Sequence, residues 1–173
     1  TSRVYRVAFT DANGIACVTF RIPWEGSNAE DMFGIWEIIA TVDIAGTTVK
    51  DVVKFYFGYI AQTMSVTASP GSLKKCNWLS VEVCIYNLAF TTKWVYVTVV
   101  LYDECGVPIC CCSVWVELAP RTLTCITFLC HIPMWAFVGT AYAYANVFSA
   151  PPKLGGTAMC PEMFAIFTIL KTL

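Results

Sequence analysis

Charge is what this sequence has least of: Asp, Glu, Lys and Arg together make up 13% of its 173 residues, against roughly 25% in an average soluble domain. Such a chain is not built to be surrounded by water on all sides. Basic runs are also missing, since Lys74-Lys75 is the longest and the net charge is -1. That excludes the electrostatic footprint of a nucleic-acid or anionic-lipid binder. Histidine occurs once, at His131, so any Ser/His/Asp or Cys/His arrangement would hang on one side chain at the end of a strand, and no enzyme is expected. No C-x-x-C pair exists, which speaks against a zinc finger. The acidic loop Glu25, Glu30, Asp31 lacks EF-hand spacing and reads as solvated. Asp11-Ala12-Asn13-Gly14 reads as a hairpin turn before it reads as a calcium fragment. No cofactor and no metal is therefore expected. Because Asn-x-Ser/Thr is absent too, N-glycans cannot cover the surface.

Amphipathic helices are equally hard to find. The stretch 122–152 has no Asp, Glu, Lys or Arg and His131 as its only basic side chain, and it is long enough to span a bilayer, which takes about 20 residues. Pro133 and Gly139 interrupt it, and Thr122-Leu123-Thr124-Cys125-Ile126-Thr127-Phe128-Leu129 is β-branched and spaced like a strand, so no membrane span is expected.

What the chain does have is apolar side chains, at 57%, and ten cysteines. The first excludes intrinsic disorder. Cysteine in this number without metal spacing fits an oxidising, extracellular location. The chain opens Thr1-Ser2-Arg3 with neither Met nor an apolar leader, as expected of a processed or mature fragment.

Period-two alternation between turn residues is the dominant local signal. In 78–87, Leu79, Val81, Val83 and Ile85 share one face, with Ser80, Glu82, Cys84 and Tyr86 on the other. Similar runs at 62–69, 94–102, 108–118, 123–131, 138–148 and 162–170 make about seven strands, the count and spacing of an immunoglobulin-like β-sandwich over residues 62–173. Its core is expected to include Leu79, Val81, Val83, Val97, Val99 and Val116. Composition shifts near residue 61: 12 of the first 61 residues are charged against 11 of the 112 that follow, which also hold nine of the ten cysteines. Residues 1–61 offer four strands, 3–9, 15–22, 34–43 and 47–57. Four strands make one sheet, and a sandwich needs a second to cover its apolar face, so this is an incomplete Ig-like half-domain.

Something must supply the missing cover. Strands such as 94–102 are apolar on both faces, and large apolar patches are rare on monomers, so self-association is expected, with this chain as its own partner. The first strand, Arg3, Val4, Tyr5, Arg6, Val7, Ala8 and Phe9, alternates, carries no proline, and is expected to leave its subunit and pair with a neighbour. Trp24, Trp36, Trp78, Trp94, Trp115 and Trp135 are spread one per strand or turn, which suits sheet packing and interface anchoring better than a sugar platform. Within Cys110-Cys111-Cys112, alternation sends Cys111 to the opposite face from its neighbours, so pairing inside the triplet is poor. Cys105, Cys125 and Cys130 are open as partners.

The segments Gly14-Ile15-Ala16-Cys17-Val18-Thr19-Phe20-Arg21-Ile22-Pro23-Trp24, Phe33-Gly34-Ile35-Trp36 and Ala40-Thr41-Val42-Asp43-Ile44-Ala45-Gly46 resemble the C-terminal half of Ig-like domains in large secreted archaeal surface proteins. The second part, with Asp103-Glu104-Cys105-Gly106-Val107-Pro108-Ile109, Ile132-Pro133, Gly139-Thr140-Ala141 and Gly155-Gly156-Thr157-Ala158-Met159-Cys160-Pro161-Glu162, is similar to the domain that follows it in such proteins. The resemblance implies a cell-surface structural role, and the truncated first domain is similar to extracellular filament subunits that exchange strands. It also implies a disulfide between Cys76 and Cys160. The alternatives it leaves are an adhesion or binding module of a larger surface protein, or a virion coat protein.

Overall fold

The computed structural model describes residues 4–20 and 33–171. Arg3, Trp24 and the acidic loop Glu25, Glu30, Asp31 lie outside the described residues. Among the described residues the chain is all-β, with ten strands and no α-helix.

The first two strands, β1 (Gly34–Ile44) and β2 (Thr47–Phe57), form a long antiparallel hairpin paired from Gly34↔Phe57 to Ile44↔Thr47. Its tip is a two-residue turn in which Ala45 and Gly46 both have positive φ, the geometry that matches strand twist in tight hairpins. The Gly46 N–H donates to the Asp43 carboxylate at 3.0 Å.

The other eight strands are β3 (Ala61–Ser69), β4 (Ser72–Lys74), β5 (Trp78–Asn87), β6 (Lys93–Tyr102), β7 (Pro108–Leu118), β8 (Leu123–His131), β9 (Gly139–Phe148) and β10 (Met163–Leu170). They make a three-stranded sheet in the order β3-β5-β8 and a five-stranded sheet in the order β4-β10-β9-β6-β7. The faces they turn toward each other share one buried cluster, which makes the unit a β-sandwich. From β5 come Leu79, Val81, Val83 and Ile85, and from β6 Val95, Val97, Val99 and Leu101, all fully buried. On β9 the inward row is Ala141, Ala143, Ala145 and Val147, so the middle of the five-stranded sheet is lined by small side chains. All six expected core residues, Leu79, Val81, Val83, Val97, Val99 and Val116, are buried. The seven expected strands of this region are present, and β4, three residues long, is an eighth that periodicity cannot register.

Two buried polar residues tie loops to this frame. Asn87 Nδ2 donates to the carbonyls of Leu118, Ala119 and Thr91, and its Oδ1 accepts from the Ala89 N–H. The Asp103 carboxylate accepts from the N–H groups of Cys105, Val107 and Phe137, closing the β6–β7 turn.

The half-domain differs from expectation. Strands were expected over 3–9 and 15–22, yet the described residues 4–9 and 15–20 join no ladder, so the four-stranded sheet is here the β1–β2 pair alone. Alternation shows that a segment suits a strand, but a strand exists only where a neighbour offers N–H and C=O groups. What does form is the Asp11 turn: its carboxylate accepts from the N–H groups of Asn13 and Ile15 at 2.8 and 2.9 Å. Those bonds, that from Ile15 foremost, hold the Asp11 carboxyl below its usual range.

The core assignment has a direct test. Val81→Asp places an unpaired carboxylate in a fully buried site, at a cost of several kcal/mol. Folding should be lost, read as loss of soluble protein and of a cooperative thermal transition, whereas Glu82→Ala on the outer face should melt like the parent.

Candidate functional site

The chain's unusual chemistry is sulfur, and strand pairing decides which sulfurs meet. β7 is the outer strand of the five-stranded sheet and β8 the outer strand of the three-stranded sheet, and the two run side by side at the same edge of the sandwich. Alternation along β7 turns Cys110 and Cys112 half-buried to one side and leaves Cys111 exposed on the other, as the sequence indicates. From β8, Cys130 enters the same space, fully buried. The Cys112 sulfur lies 3.7 Å from those of both Cys110 and Cys130. Burial pushes the Cys110 and Cys130 thiols up from their ordinary range; Cys112 adds to the rise at both, Cys110 adds to it at Cys130, and the hydrogen bond with Cys130 opposes it at Cys110. Their resting form is the protonated thiol. At Cys110 the backbone N–H of His131 acts in the opposite direction.

A disulfide joins Cys84 to Cys125, which are register partners on the adjacent strands β5 and β8. Cys125 was among the expected candidates and Cys84 was not. The expected Cys76–Cys160 bridge does not form. Cys76 is an exposed free thiol in the turn after β4, with φ +62° and its N–H donating to the Ile132 carbonyl. Cys160 is buried on its own, its sulfur 3.3 Å from the Thr63 hydroxyl. Cys105 and Cys111 are exposed free thiols. His131 stacks edge-on with Trp78, ring centres 5.2 Å apart.

A second feature is apolar. In the β1–β2 register, Ile38↔Val53 and Val42↔Val49 point to one face together with Ile44, and every one of these side chains is exposed. The opposite face mixes Ile35, Ile39 and Val52 with a Glu37–Lys54 ion pair at 3.0 Å. Along the expected assembly strand, Val4, Tyr5, Val7 and Phe9 are exposed, as is Arg6. Of the tryptophans, Trp78, Trp94, Trp115 and Trp135 are exposed, outside the core. A third feature is a shallow cleft on the outer face of the five-stranded sheet between Tyr102, Tyr142, Tyr144, Glu104 and Glu162. Its carboxylates are already engaged, Glu104 by the Thr140 N–H and Glu162 by the Asn146 amide. No helix among the described residues is long and apolar enough to cross a membrane.

No protein-family model matches the chain, and no curated protein does. Among solved structures, the C-terminal domain of wzt superposes with a TM-score of 0.53 at 10% identity, covering 68% of this chain and 77% of that one. The alkylpurine DNA glycosylase AlkC of Pseudomonas fluorescens gives 0.48 at 12% identity over 65% of this chain, and a β-glucosidase of Listeria innocua gives 0.45 at 16% over 65%. This chain spans 31% of the glycosylase and 16% of the glucosidase. The likeness to the wzt domain is one of fold and extends to the sandwich.

The Cys84–Cys125 bridge closes a loop with a sequence separation of 41, which in the chain-entropy picture is worth about 4 kcal/mol. The double variant Cys84→Ala, Cys125→Ala should lose stability on that order in urea unfolding, and reductant should destabilise the parent without affecting the variant. Cys105→Ala should match the parent in both.

Proposed function

We propose that this chain is a structural subunit that assembles with copies of itself into an extracellular filament. In this reading the sandwich is an Ig-like rigid body, and the β1–β2 hairpin with the segment Arg3 to Phe9 is the connecting element, completed by strands of a neighbour. The observation that carries it is the hairpin face on which Ile38, Val42, Ile44, Val49 and Val53 are exposed, with the single charge of Asp51 at its middle and half-buried Trp36 and Phe55 toward its base. A lone two-stranded hairpin is marginal in water, and an uncovered apolar row on it favours association. A second copy is the occupant that needs no further component, since each chain brings both a hairpin to be covered and residues 4–9 free of any ladder. Head-to-tail exchange that does not close into a ring propagates as a fibre. The Cys84–Cys125 disulfide supports an oxidising location outside the cell.

The test replaces cross-strand partners with an ion pair, Ile38→Glu with Val53→Lys, which keeps the hairpin paired and removes the apolar row. Light scattering and negative-stain imaging should show polymers of the parent and monomers of the variant, with the sandwich melting unchanged. Deleting residues 1–9 should likewise abolish filaments. An adhesion module would be monomeric already as the parent, and that result would replace the filament reading.

A further inference from the structure

We propose that Cys110, Cys112 and Cys130 bind a single zinc ion through their three thiolates, leaving the fourth position to solvent. The inference is independent of the filament reading, because it concerns one subunit and one cluster.

The geometry points to it first. Zinc–thiolate bonds are about 2.3 Å, so two sulfurs on a tetrahedral ion lie about 3.8 Å apart. The Cys112 sulfur stands 3.7 Å from Cys110 and 3.7 Å from Cys130, and all three lie within 4.8 Å of one another. Two edges of one face of a zinc tetrahedron are therefore already at the required length, and the third sulfur pair lies within 4.8 Å. Their positions are held by ladders: Cys110 and Cys112 face the same way on β7, where they pair with Leu101 and Val99 of β6, and Cys130 sits on β8, where it pairs with Leu79 of β5. Such pre-organisation is what distinguishes a site from a chance contact of thiols.

Chemistry narrows the ligand. The cluster offers sulfur only, without carboxylate or imidazole, and an all-thiolate set selects soft or borderline ions against magnesium and calcium. The C-x-C spacing on a strand and a third ligand from the opposing sheet form no linear C-x-x-C pattern, so the absence of that pattern does not bear on this site. Cys110 and Cys112, half-buried at the open edge, give the ion its entry. Binding balances as one Zn²⁺ displacing three thiol protons to leave a zinc tris-thiolate of net charge -1, with no electron transferred. The His131 N–H directed at Cys110 stabilises part of that charge. Because protons must leave, affinity should climb as pH rises.

The test uses the full chain, purified without added reductant so that Cys84–Cys125 stays closed, loaded with zinc chloride, gel-filtered and assayed for metal by atomic emission. The parent should retain a single ion and melt at higher temperature with zinc than with chelator. Cobalt in place of zinc should give the visible bands of a tetrahedral thiolate site. Cys111→Ser and Cys105→Ser, both exposed, should retain the ion, while Cys112→Ser should lose both ion and bands. Cys130→Ser should also lose them, but since its thiol is buried, the half-buried Cys112→Ser decides if Cys130→Ser fails to fold. The proposal is overturned if the parent retains no zinc, if Cys112→Ser retains as much as the parent, or if peptide mapping of the zinc-loaded parent finds Cys130 in a disulfide with Cys110 or Cys112.

Discussion

Two rows of aliphatic side chains, Leu79, Val81, Val83 and Ile85 on β5 and Val95, Val97, Val99 and Leu101 on β6, meet in one buried cluster between the sheets. Each such side chain contributes roughly 1.5–3 kcal/mol when fully buried, and they sit on the strands that are paired on both sides. The small row Ala141, Ala143 and Ala145 beside β6 is fully buried in the same cluster. Once these two faces are shut, the outer faces, the edge strands and the turns have fixed addresses, and every chemical feature of the molecule is a consequence of those addresses. Cys110 and Cys112 meet Cys130 because β7 and β8 are the outer strands at the same edge. Cys84 meets Cys125 because β5 pairs with β8 in one particular register.

Closure of the sandwich leaves apolar surface unused. Outer-face pairs such as Tyr96 with Trp115 and Tyr102 with Tyr144 cover one another in part, so the three tyrosines are half-buried, while Trp115 stays exposed, where a solvated sheet would carry polar side chains. On the hairpin such ring contacts lie at the base, where Phe57 meets Phe33 edge-on, and the aliphatic pairs toward the tip stay exposed. Its one ion pair, Glu37 with Lys54, lies on the mixed face, and a surface pair of this kind is worth little.

How much of this was legible beforehand depended on whether a residue's environment is set locally. The inward faces of β5 and β6 follow from alternation, because period two is a property of the strand itself. The split of Cys111 from Cys110 and Cys112 follows in the same way. Cys84 was passed over because alternation places it on the outer face beside Glu82, and only the β5–β8 register brings Cys125 opposite. Cys130 joins the triplet across two sheets, a distance that no sequence spacing encodes. The Cys76–Cys160 pairing came from likeness to other proteins, and here Cys160 sits against Thr63 and Cys76 is turned to solvent. The expected strands 3–9 and 15–22 alternate well but have no ladder partner among the described residues, and pairing is not written in one strand alone.

The hairpin's connectivity fixes how it would answer a pull. Gly34 and Phe57 are opposite each other at its open end, so the chain entering β1 and the chain leaving β2 for the sandwich depart from the same place. Tension between them loads the ladder at its first pair and then at each successive one, from Gly34↔Phe57 toward the Ala45-Gly46 tip. Peeling of this sort breaks few hydrogen bonds at a time and yields at low force. Load carried along the strands, through a partner seated on the Ile38–Val53 face, would instead have to shear the whole row at once. The same eleven-residue strands are a soft link in one direction and a stiff one in the other.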